Sequence, residues 1–149
     1  MTTILNPAPA DRGILDSEIL SHVDVFTPNQ EEAAVLSSRP TETLDQAESA
    51  AVALLALGAR TVVVTLGERG CLIVCGKESV HVPGFAVPTV DTVGAGDAFN
   101  GALAVSLAEG LPLPEAARWA NAAGALAVTR PGAQGALPRR EEIDRLVKS

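Results

Sequence analysis

The sequence predicts an α/β fold, with a parallel β-sheet flanked by helices and extended by an antiparallel hairpin. In the first half of the chain, short apolar strands alternate with segments of helical periodicity, which is typical of parallel α/β sheets. The run TVVVTL within residues 60–66 is β-branched and apolar throughout, as in a strand that is buried on both faces. Two further apolar runs flank Gly76 and Lys77, which predicts a hairpin.

The first half of the chain is predicted to contain three strands and three helices. The strands are expected at residues 3–5, 23–27 and 60–66, and the helices at residues 16–21, 29–36 and 43–57. Acidic residues in its first turn favour the helix at 29–36, because they interact with the positive end of the helix dipole. Gly58 is a suitable stop for the alanine-rich helix that precedes it.

The second half is predicted to begin with the hairpin and continue with three helices. The hairpin strands are expected at 71–75 and 79–82, and the first helix follows a glycine turn and ends near Glu109 and Gly110. The other helices are expected at 113–129 and 139–147. Because there is no internal repeat, low-complexity tract or long linker, residues 1–149 are predicted to form a single domain.

Composition narrows the classes of partner. The 149 residues carry a formal net charge of -7, which argues against sequence-independent nucleic-acid binding. The longest apolar stretch, residues 50–59, is much shorter than the ~18 to 20 residues that span a bilayer. The opening residues lack the basic segment of a signal peptide. We therefore expect a cytoplasmic protein without membrane partners that acts on small molecules.

The cysteines and histidines favour no metal site. Cys71 and Cys75 are predicted on one face of a strand, too far apart for a disulfide, and are interpreted as small core residues. His22 and His81 have no Cys or His neighbour at the spacing of zinc ligands.

The segment DTVGAGD at residues 91–97 is the most informative part of the chain. Gly94 and Gly96 flank Ala95 just before a helix, so free amides and the helix dipole would meet at a site for an anion. A structural role is also open for both acids: Asp97 as a helix cap or first-turn acid, and Asp91 as a cap of the turn. The dinucleotide fingerprint GxGxxG fails because residue 99 is Phe99.

Two other polar segments follow predicted strands. Residues 27–32 follow the second strand, and residues 65–70 follow the third. In open α/β sheets ligands bind at the carboxyl ends of strands, so these segments and the glycine turn are candidates for one site. Each also has a structural interpretation. Asn29 and Glu32 would cap and begin a helix, while Gly67 and Gly70 would serve turns.

These residues resemble a known family. DTVGAGD closely resembles the second signature of the ribokinase (PfkB) family of carbohydrate kinases, and NQEE at 29–32 matches its NxxE motif. The resemblance covers essentially the whole chain but only the C-terminal half of such a kinase. It implies a ribokinase-like sheet that is incomplete, without the N-terminal strands, the β-sheet lid and most sugar-contacting residues.

The resemblance implies a role for each matching residue. Asp97 would be the general base toward the primary hydroxyl of a sugar, ribose being favoured. The anion hole would be formed by the amides of Gly94, Ala95 and Gly96. Asn29 and Glu32 would hold the waters of a magnesium ion and orient ATP. The nucleotide would be lined by Thr65, Gly67 and Gly70, with Asn121 near the adenine.

A potassium ion is also implied. Its ligands would be the Asp91 carboxylate and the carbonyls of Val93, Ala127, Arg130 and Gly132. Ala136 stands where a serine often contributes, so one ligand is lost or replaced by water.

Two alternatives to an autonomous sugar kinase remain open. The chain could be a non-catalytic nucleotide-binding remnant or fragment, or a relative acting on another sugar or nucleoside such as fructose or adenosine. Self-association through the exposed sheet edge is a further expectation.

Overall fold

The computed structural model describes residues 1–16 and 18–149. These residues form two compact units. The sheet unit comprises Met1–Leu66 and Cys71–His81, and the helical unit comprises Gly67–Gly70 and Val82–Ser149.

The sheet unit contains the strands and the first helices. Its strands are β1 (Ile4–Leu5), β2 (Val25–Phe26), β3 (Thr61–Thr65), β4 (Cys71–Cys75) and β5 (Glu78–Val82), of which β5 ends at the first residue of the helical unit. Its α-helices are α1 (Gln30–Ser37) and α2 (Leu44–Leu55). The helix expected at 16–21 is wrong in its bounds. Two 3-10 helices occupy Arg12–Asp16 and Glu18–His22, and Ser17 lies outside the described residues.

The sheet has the predicted mixed topology. Its strand order is β1-β2-β3-β4-β5, with β1, β2 and β3 parallel and β4 antiparallel to β3. The register pairs Leu5 with Phe26, and Phe26 with Val62. The hairpin turns at Gly76 and Lys77, as the sequence predicts.

The core of the sheet unit lies between the sheet and helices α1 and α2. Phe26, Val62, Leu36 and Leu54 are fully or almost fully buried and belong to one apolar cluster. The first four residues of β3 are all buried, which confirms that this β-branched run is covered on both faces. Cys71 is buried too. The expectation that Cys75 is a core residue is wrong, because Cys75 ends β4 beside the hairpin turn and is exposed.

The helical unit is built from α3 (Ala95–Ala108), α4 (Leu113–Ala127) and α5 (Arg140–Lys148), with a short 3-10 helix at Gly67–Arg69. Small side chains form most of its core, so the helices can approach closely. The buried members of this core are Ala98, Ala122, Ala123, Ala127 and Ile143. α3 ends at Ala108, with Glu109 as its C-cap and Gly110 at φ 86°, which confirms the predicted stop.

Arg140 joins the three helices of this unit. Its guanidinium donates to both carboxylate oxygens of Glu109, at 2.8 and 3.0 Å, and to Asp144 at 3.1 Å. It also lies 4.7 Å from the centre of the Trp119 ring, a cation–π distance. These contacts link the end of α3, the middle of α4 and the start of α5.

Within residues 1–16 and 18–149, no helix combines the length and apolar character needed to cross a membrane.

Candidate active site

The glycine turn leads directly into α3. Gly94 is the residue before the helix and lies in the left-handed region, at φ 83°. This conformation favours glycine, and a Cβ there would also be crowded, since it would lie 3.1 Å from the Cα of Ala133. The turn is therefore shaped by its contact with the segment that follows α4.

The amides of the turn are only partly used within the protein. Ala95 donates its N–H to the Thr92 carbonyl at 3.3 Å. The N–H groups of Gly94 and Gly96 have no acceptor among the described residues. Two of the three amides predicted for the anion hole are thus available to a ligand at the positive end of a helix.

Gly96 has no structural reason to be glycine. Its backbone lies outside the left-handed region, and in the described part of the chain nothing comes within 4 Å of the position of a Cβ. A glycine within a helix destabilises the fold by roughly 0.5–1 kcal/mol relative to alanine. The absence of a side chain instead leaves the amides of the first turn open to a ligand that approaches closely.

Asp97 is the third residue of α3, and its side chain is exposed. Among the described residues its carboxylate has no hydrogen-bond or ion-pair partner, and no side chain caps α3. Asp97 is therefore a first-turn acid but not a hydrogen-bonding cap. An unpaired carboxylate beside open amides is available to accept a proton.

Asp91 joins two segments of the helical unit. Its Oδ1 accepts from the Val93 amide at 3.0 Å, and its Oδ2 accepts from the Gly132 amide at 3.1 Å. These hydrogen bonds lower the pKa of the Asp91 carboxyl, the bond from Val93 being the larger cause. The amides of Val90 and Asp91 also donate to the Val128 carbonyl, at 2.7 and 3.1 Å. The structure thus brings together the segments expected to hold potassium.

The oxygen atoms in these segments suit a monovalent cation. The carbonyls of Val93, Ala127, Arg130 and Gly132 accept no recorded hydrogen bond in the described part of the chain. Ala136 is fully buried and contributes only a methyl group. These four carbonyls and the Asp91 carboxylate therefore fit the cation. The site has one side-chain oxygen fewer than it would have with a serine at position 136.

Glu142 holds the segment after α4 from the α5 side. Its carboxylate forms an ion pair with Arg130 and accepts from the Arg139 amide at 2.7 Å. The Arg130 hydrogen bond is the main cause that lowers the pKa of the Glu142 carboxyl. No sequence motif predicted Glu142, and only its capping-box position three residues after Arg139 could have indicated it.

In the sheet unit, Asn29 and Glu32 form a capping box at the start of α1. Asn29 Oδ1 accepts from the Glu32 amide, and Glu32 Oε2 accepts from the Asn29 amide, both at 2.8 Å. The NxxE motif is therefore a helix start in this protein. Each side chain keeps one polar atom outside the box, Nδ2 of Asn29 and Oε1 of Glu32. Asn29 also pairs with Thr65, so all three residues lie at the carboxyl ends of β2 and β3.

Gly70 and Gly84 allow two backbone segments of the helical unit to touch. A Cβ on Gly70, at φ 92°, would lie 2.1 Å from the Val82 carbonyl oxygen, and a Cβ on Gly84 would lie 2.3 Å from the Glu68 oxygen. Gly67 lies at φ 60° in open space. Gly70 thus has a structural role, and Gly84 was missed because this contact is not local in sequence.

Asn121 is buried on α4, and its amide is used inside the helical unit. Its Nδ2 donates to the Val82 carbonyl at 3.0 Å and to the Pro83 carbonyl at 3.2 Å. The residue therefore fixes the backbone at Val82 and Pro83. Its predicted position near an adenine remains a prediction.

Comparison with known proteins identifies related chains. The model of the "pfkB family carbohydrate kinase" matches residues 1–140. Ribokinase from Bacillus subtilis is 42% identical over 144 residues, which cover 97% of this chain and 45% of the relative. The chain spans about half the length of the curated relatives it matches.

Solved structures agree with the sequence matches. A ribokinase from Thermotoga maritima has a TM-score of 0.86 and 40% identity, covering 99% of this chain and 49% of that structure. Arabidopsis thaliana ribokinase, solved with ribose and ATP, has a TM-score of 0.85 and 34% identity, covering 100% of this chain and 48% of that structure.

Proposed function

Because this chain belongs to the pfkB family of carbohydrate kinases, we propose that it supplies the nucleotide-binding and catalytic half of a sugar kinase. The reaction transfers the γ-phosphoryl group of ATP to the primary hydroxyl of a sugar. The observation that carries the proposal is the Asp97 carboxylate, which is exposed and unpaired among the described residues beside the open amides of Gly94 and Gly96. A base beside an anion cradle is what phosphoryl transfer to an alcohol requires.

In the proposed reaction Asp97 accepts the proton of the sugar hydroxyl as its oxygen attacks the γ-phosphorus. The new O–P bond forms while the bond from the γ-phosphorus to the bridging oxygen breaks, and ADP leaves with that oxygen. The Gly94 and Gly96 amides face the negative charge on the transferring group. Preorganised donors of this kind are worth roughly 3 to 4 kcal/mol of barrier each.

Magnesium and potassium are part of the proposal. Magnesium prefers oxygen ligands and keeps several of its waters, and Glu32 Oε1 would orient those waters while Asn29 Nδ2 contacts phosphate oxygens. Potassium would be held by the Asp91 carboxylate and by the proposed carbonyl ligands, which accept no hydrogen bond in the described part of the chain. When bound, the two cations would neutralise phosphate charge and support the glycine turn.

Ribose is the proposed sugar. The support is the likeness to ribokinases, including the Arabidopsis structure with ribose and ATP. Thr65, Gly67 and Gly70 are proposed to line the nucleotide, with Asn121 near the adenine. A cytoplasmic location and a single domain over residues 1–149 remain part of the proposal.

A nucleotide-binding protein without catalysis is the second candidate. It is favoured by one observation, the coverage of only 45% of the curated relatives. In that case the chain would bind ATP and would transfer no phosphoryl group by itself.

The test measures ADP formation by the purified chain with ribose, ATP, magnesium and potassium, together with ATP affinity by calorimetry. Asp97→Asn should reduce turnover by about 10²- to 10⁴-fold with ATP affinity nearly unchanged. Glu115→Gln is the matched control, since Glu115 is an exposed acid in the first turn of α4.

Each outcome has a distinct meaning. Equal loss of turnover and ATP affinity in Asp97→Asn would show that the residue holds the turn and is not the base. ATP binding without turnover in the wild-type chain would favour the second candidate. Absence of both would refute the proposed function.

A further inference from the structure

Two acids hold the segment that follows α4. Asp91 accepts from the Gly132 amide at 3.1 Å. Glu142 binds the Arg130 guanidinium through an ion pair at Oε1 and a contact of 3.5 Å at Oε2. Asp91 is a proposed ligand of potassium, whereas Glu142 has no role in the proposed site.

The ion pair fixes a residue whose main chain is a proposed potassium ligand. Arg130 would bind the ion through its carbonyl oxygen, which accepts no hydrogen bond among the described residues. No protein donor therefore fixes the direction of this carbonyl. Its position depends on the other contacts of the same residue, of which the ion pair with Glu142 is one.

Glu142 is itself held in place. Its Oε2 accepts from the Arg139 amide at 2.7 Å, in the capping box that begins α5. The next residue, Arg140, donates to Glu109 at the end of α3, at 2.8 and 3.0 Å. The carboxylate thus belongs to a helix start that is tied to α3. A carboxylate that is fixed in this way can position another segment.

The charges of the ion pair offer a competing explanation. A positive guanidinium near a cation would repel it, and Glu142 would then act only by neutralising Arg130. However, the side chains of Arg130 and Glu142 are 38% and 27% exposed, so water screens their charges. The contact geometry is therefore favoured over the charge as the main effect.

We propose that Glu142 is a positioning residue for the potassium ion, which acts by holding Arg130 so that its carbonyl faces the ion. The inference rests on the potassium site of the proposed function. Glu142 is not a ligand in this proposal. Groups that orient a metal ligand without touching the metal typically contribute strongly to affinity.

The experiment measures potassium binding through stability. Urea unfolding of the full 149-residue chain is compared in potassium chloride and in tetramethylammonium chloride at equal ionic strength, without nucleotide or sugar. Both salts screen charges equally, but the organic cation is too large for a site of carbonyl oxygens. The extra stability in potassium chloride reports binding, and its dependence on salt concentration gives the Kd for potassium.

Glu142→Gln is the first variant. It should raise the Kd for potassium by about tenfold or more, because the ion pair with Arg130 is lost. Glutamine can still accept from the Arg139 amide, so the capping box is retained. Glu141→Gln is the matched control, since Glu141 is an exposed acid in the same first turn of α5, and its Kd should equal that of wild type.

Arg130→Met separates positioning from charge. If the ion pair positions the carbonyl, this variant should weaken potassium binding as Glu142→Gln does. If only charge matters, it should strengthen binding, because an unpaired negative charge remains near the site. Arg145→Met, at an exposed position of α5, controls for the loss of one positive charge.

The inference is supported if Glu142→Gln and Arg130→Met both weaken potassium binding and the two controls do not. It is overturned if Glu142→Gln behaves like Glu141→Gln, or if Arg130→Met strengthens binding. Midpoints that fall equally in both salts would also overturn it, since they would show a purely structural role.

Failure of the inference is distinguishable from failure of the proposed function. A wild-type chain that gains no stability from potassium would refute the potassium site and the inference together. Wild-type binding that the variants leave unchanged would refute the inference alone. The role of Asp97 is tested separately by ADP formation, which this measurement does not use.

Discussion

Asp91 and Gly132 are joined by a hydrogen bond of 3.1 Å across 41 residues of the chain, from the Gly132 amide to the Asp91 carboxylate. The other oxygen of the same carboxylate accepts from Val93 at 3.0 Å. One side chain thus connects the start of the glycine turn with the segment after α4. The negative charge of Asp91 is therefore expected to keep both segments ordered.

The first prediction concerns the pH dependence of this contact. The folded-state pKa of Asp91 is lowered, so its contribution to stability is complete above the ordinary pKa of an aspartate and is lost as pH falls through the folded pKa. Asp91→Asn should reduce the free energy of unfolding at neutral pH and flatten its dependence on acidification. Urea unfolding of both proteins between about pH 7 and about pH 3 measures this.

Asp45→Asn controls for the loss of one negative charge, since Asp45 is exposed in the sheet unit. The same acid dependence in wild type and Asp91→Asn would show that the two hydrogen bonds do not couple Asp91 to folding.

The second prediction concerns Gly70. Gly70→Ala should lower the free energy of unfolding by at least about 2 kcal/mol, because the new Cβ would overlap the Val82 carbonyl and because φ 92° is unfavourable for alanine. Neither backbone can move as a flexible side chain would. Equilibrium urea unfolding tests this, and a loss below about 0.5 kcal/mol would mean that the two segments separate easily.

The third prediction separates stability from ligand binding at Gly96. Gly96→Ala should raise the free energy of unfolding by up to about 1 kcal/mol, because alanine restricts the unfolded chain and the site has space for a methyl group. The same methyl group should weaken ATP binding by covering the first-turn amides. Gly101→Ala is the control, with a similar gain in stability and no loss of ATP affinity. Unchanged ATP affinity in Gly96→Ala would remove this turn from the nucleotide site.

The fourth prediction concerns Asn121. Asn121→Ala should reduce the free energy of unfolding by about 1–3 kcal/mol, since the Val82 and Pro83 carbonyls would lose a buried donor. Gln134→Ala, at an exposed position, is the control. If stability is preserved while ATP affinity falls, Asn121 acts mainly at the nucleotide.

The fifth prediction concerns Arg140, whose pKa is raised chiefly by its hydrogen bonds with Glu109. Arg140→Ala should lower the urea midpoint and alter the fluorescence of Trp119, the only tryptophan, because the stacked guanidinium is removed. Arg145→Ala on the exposed face of α5 is the control. Equal midpoints for the two variants would show that the link between α3, α4 and α5 contributes no measurable stability, as for many exposed ion pairs.

Local sequence signals predicted much of the fold. Asn29 and Thr43 both form capping boxes at helix starts, Gly110 follows the end of α3, and the β-branched run at β3 is buried. Each of these depends on residues close together in the chain.

The remaining features depend on distant residues. No spacing rule connects the segments that these contacts join. They are the close contact of Gly70 with Val82 and Gly84, the Arg130–Glu142 ion pair and the hydrogen bond from Asn121 to Val82. The sequence predicted the glycine turn as an anion site, because glycines before a helix leave free amides at its positive end. It could not predict which of these amides are hydrogen-bonded within the protein, because the acceptor of the Ala95 N–H depends on the geometry of the turn.

The burial of the three valines of β3 has a consequence for handling the protein. Val62, Val63 and Val64 are 0% exposed and form an uncharged β-branched run, the composition that assembles into stacked sheets once exposed. Arg60 and Glu68 are the nearest charges on either side. Heating unfolds the protein and exposes this run. At high protein concentration, thermal denaturation is therefore expected to end in precipitation and to report a rate of aggregation. Urea, in contrast, keeps the unfolded chain dissolved.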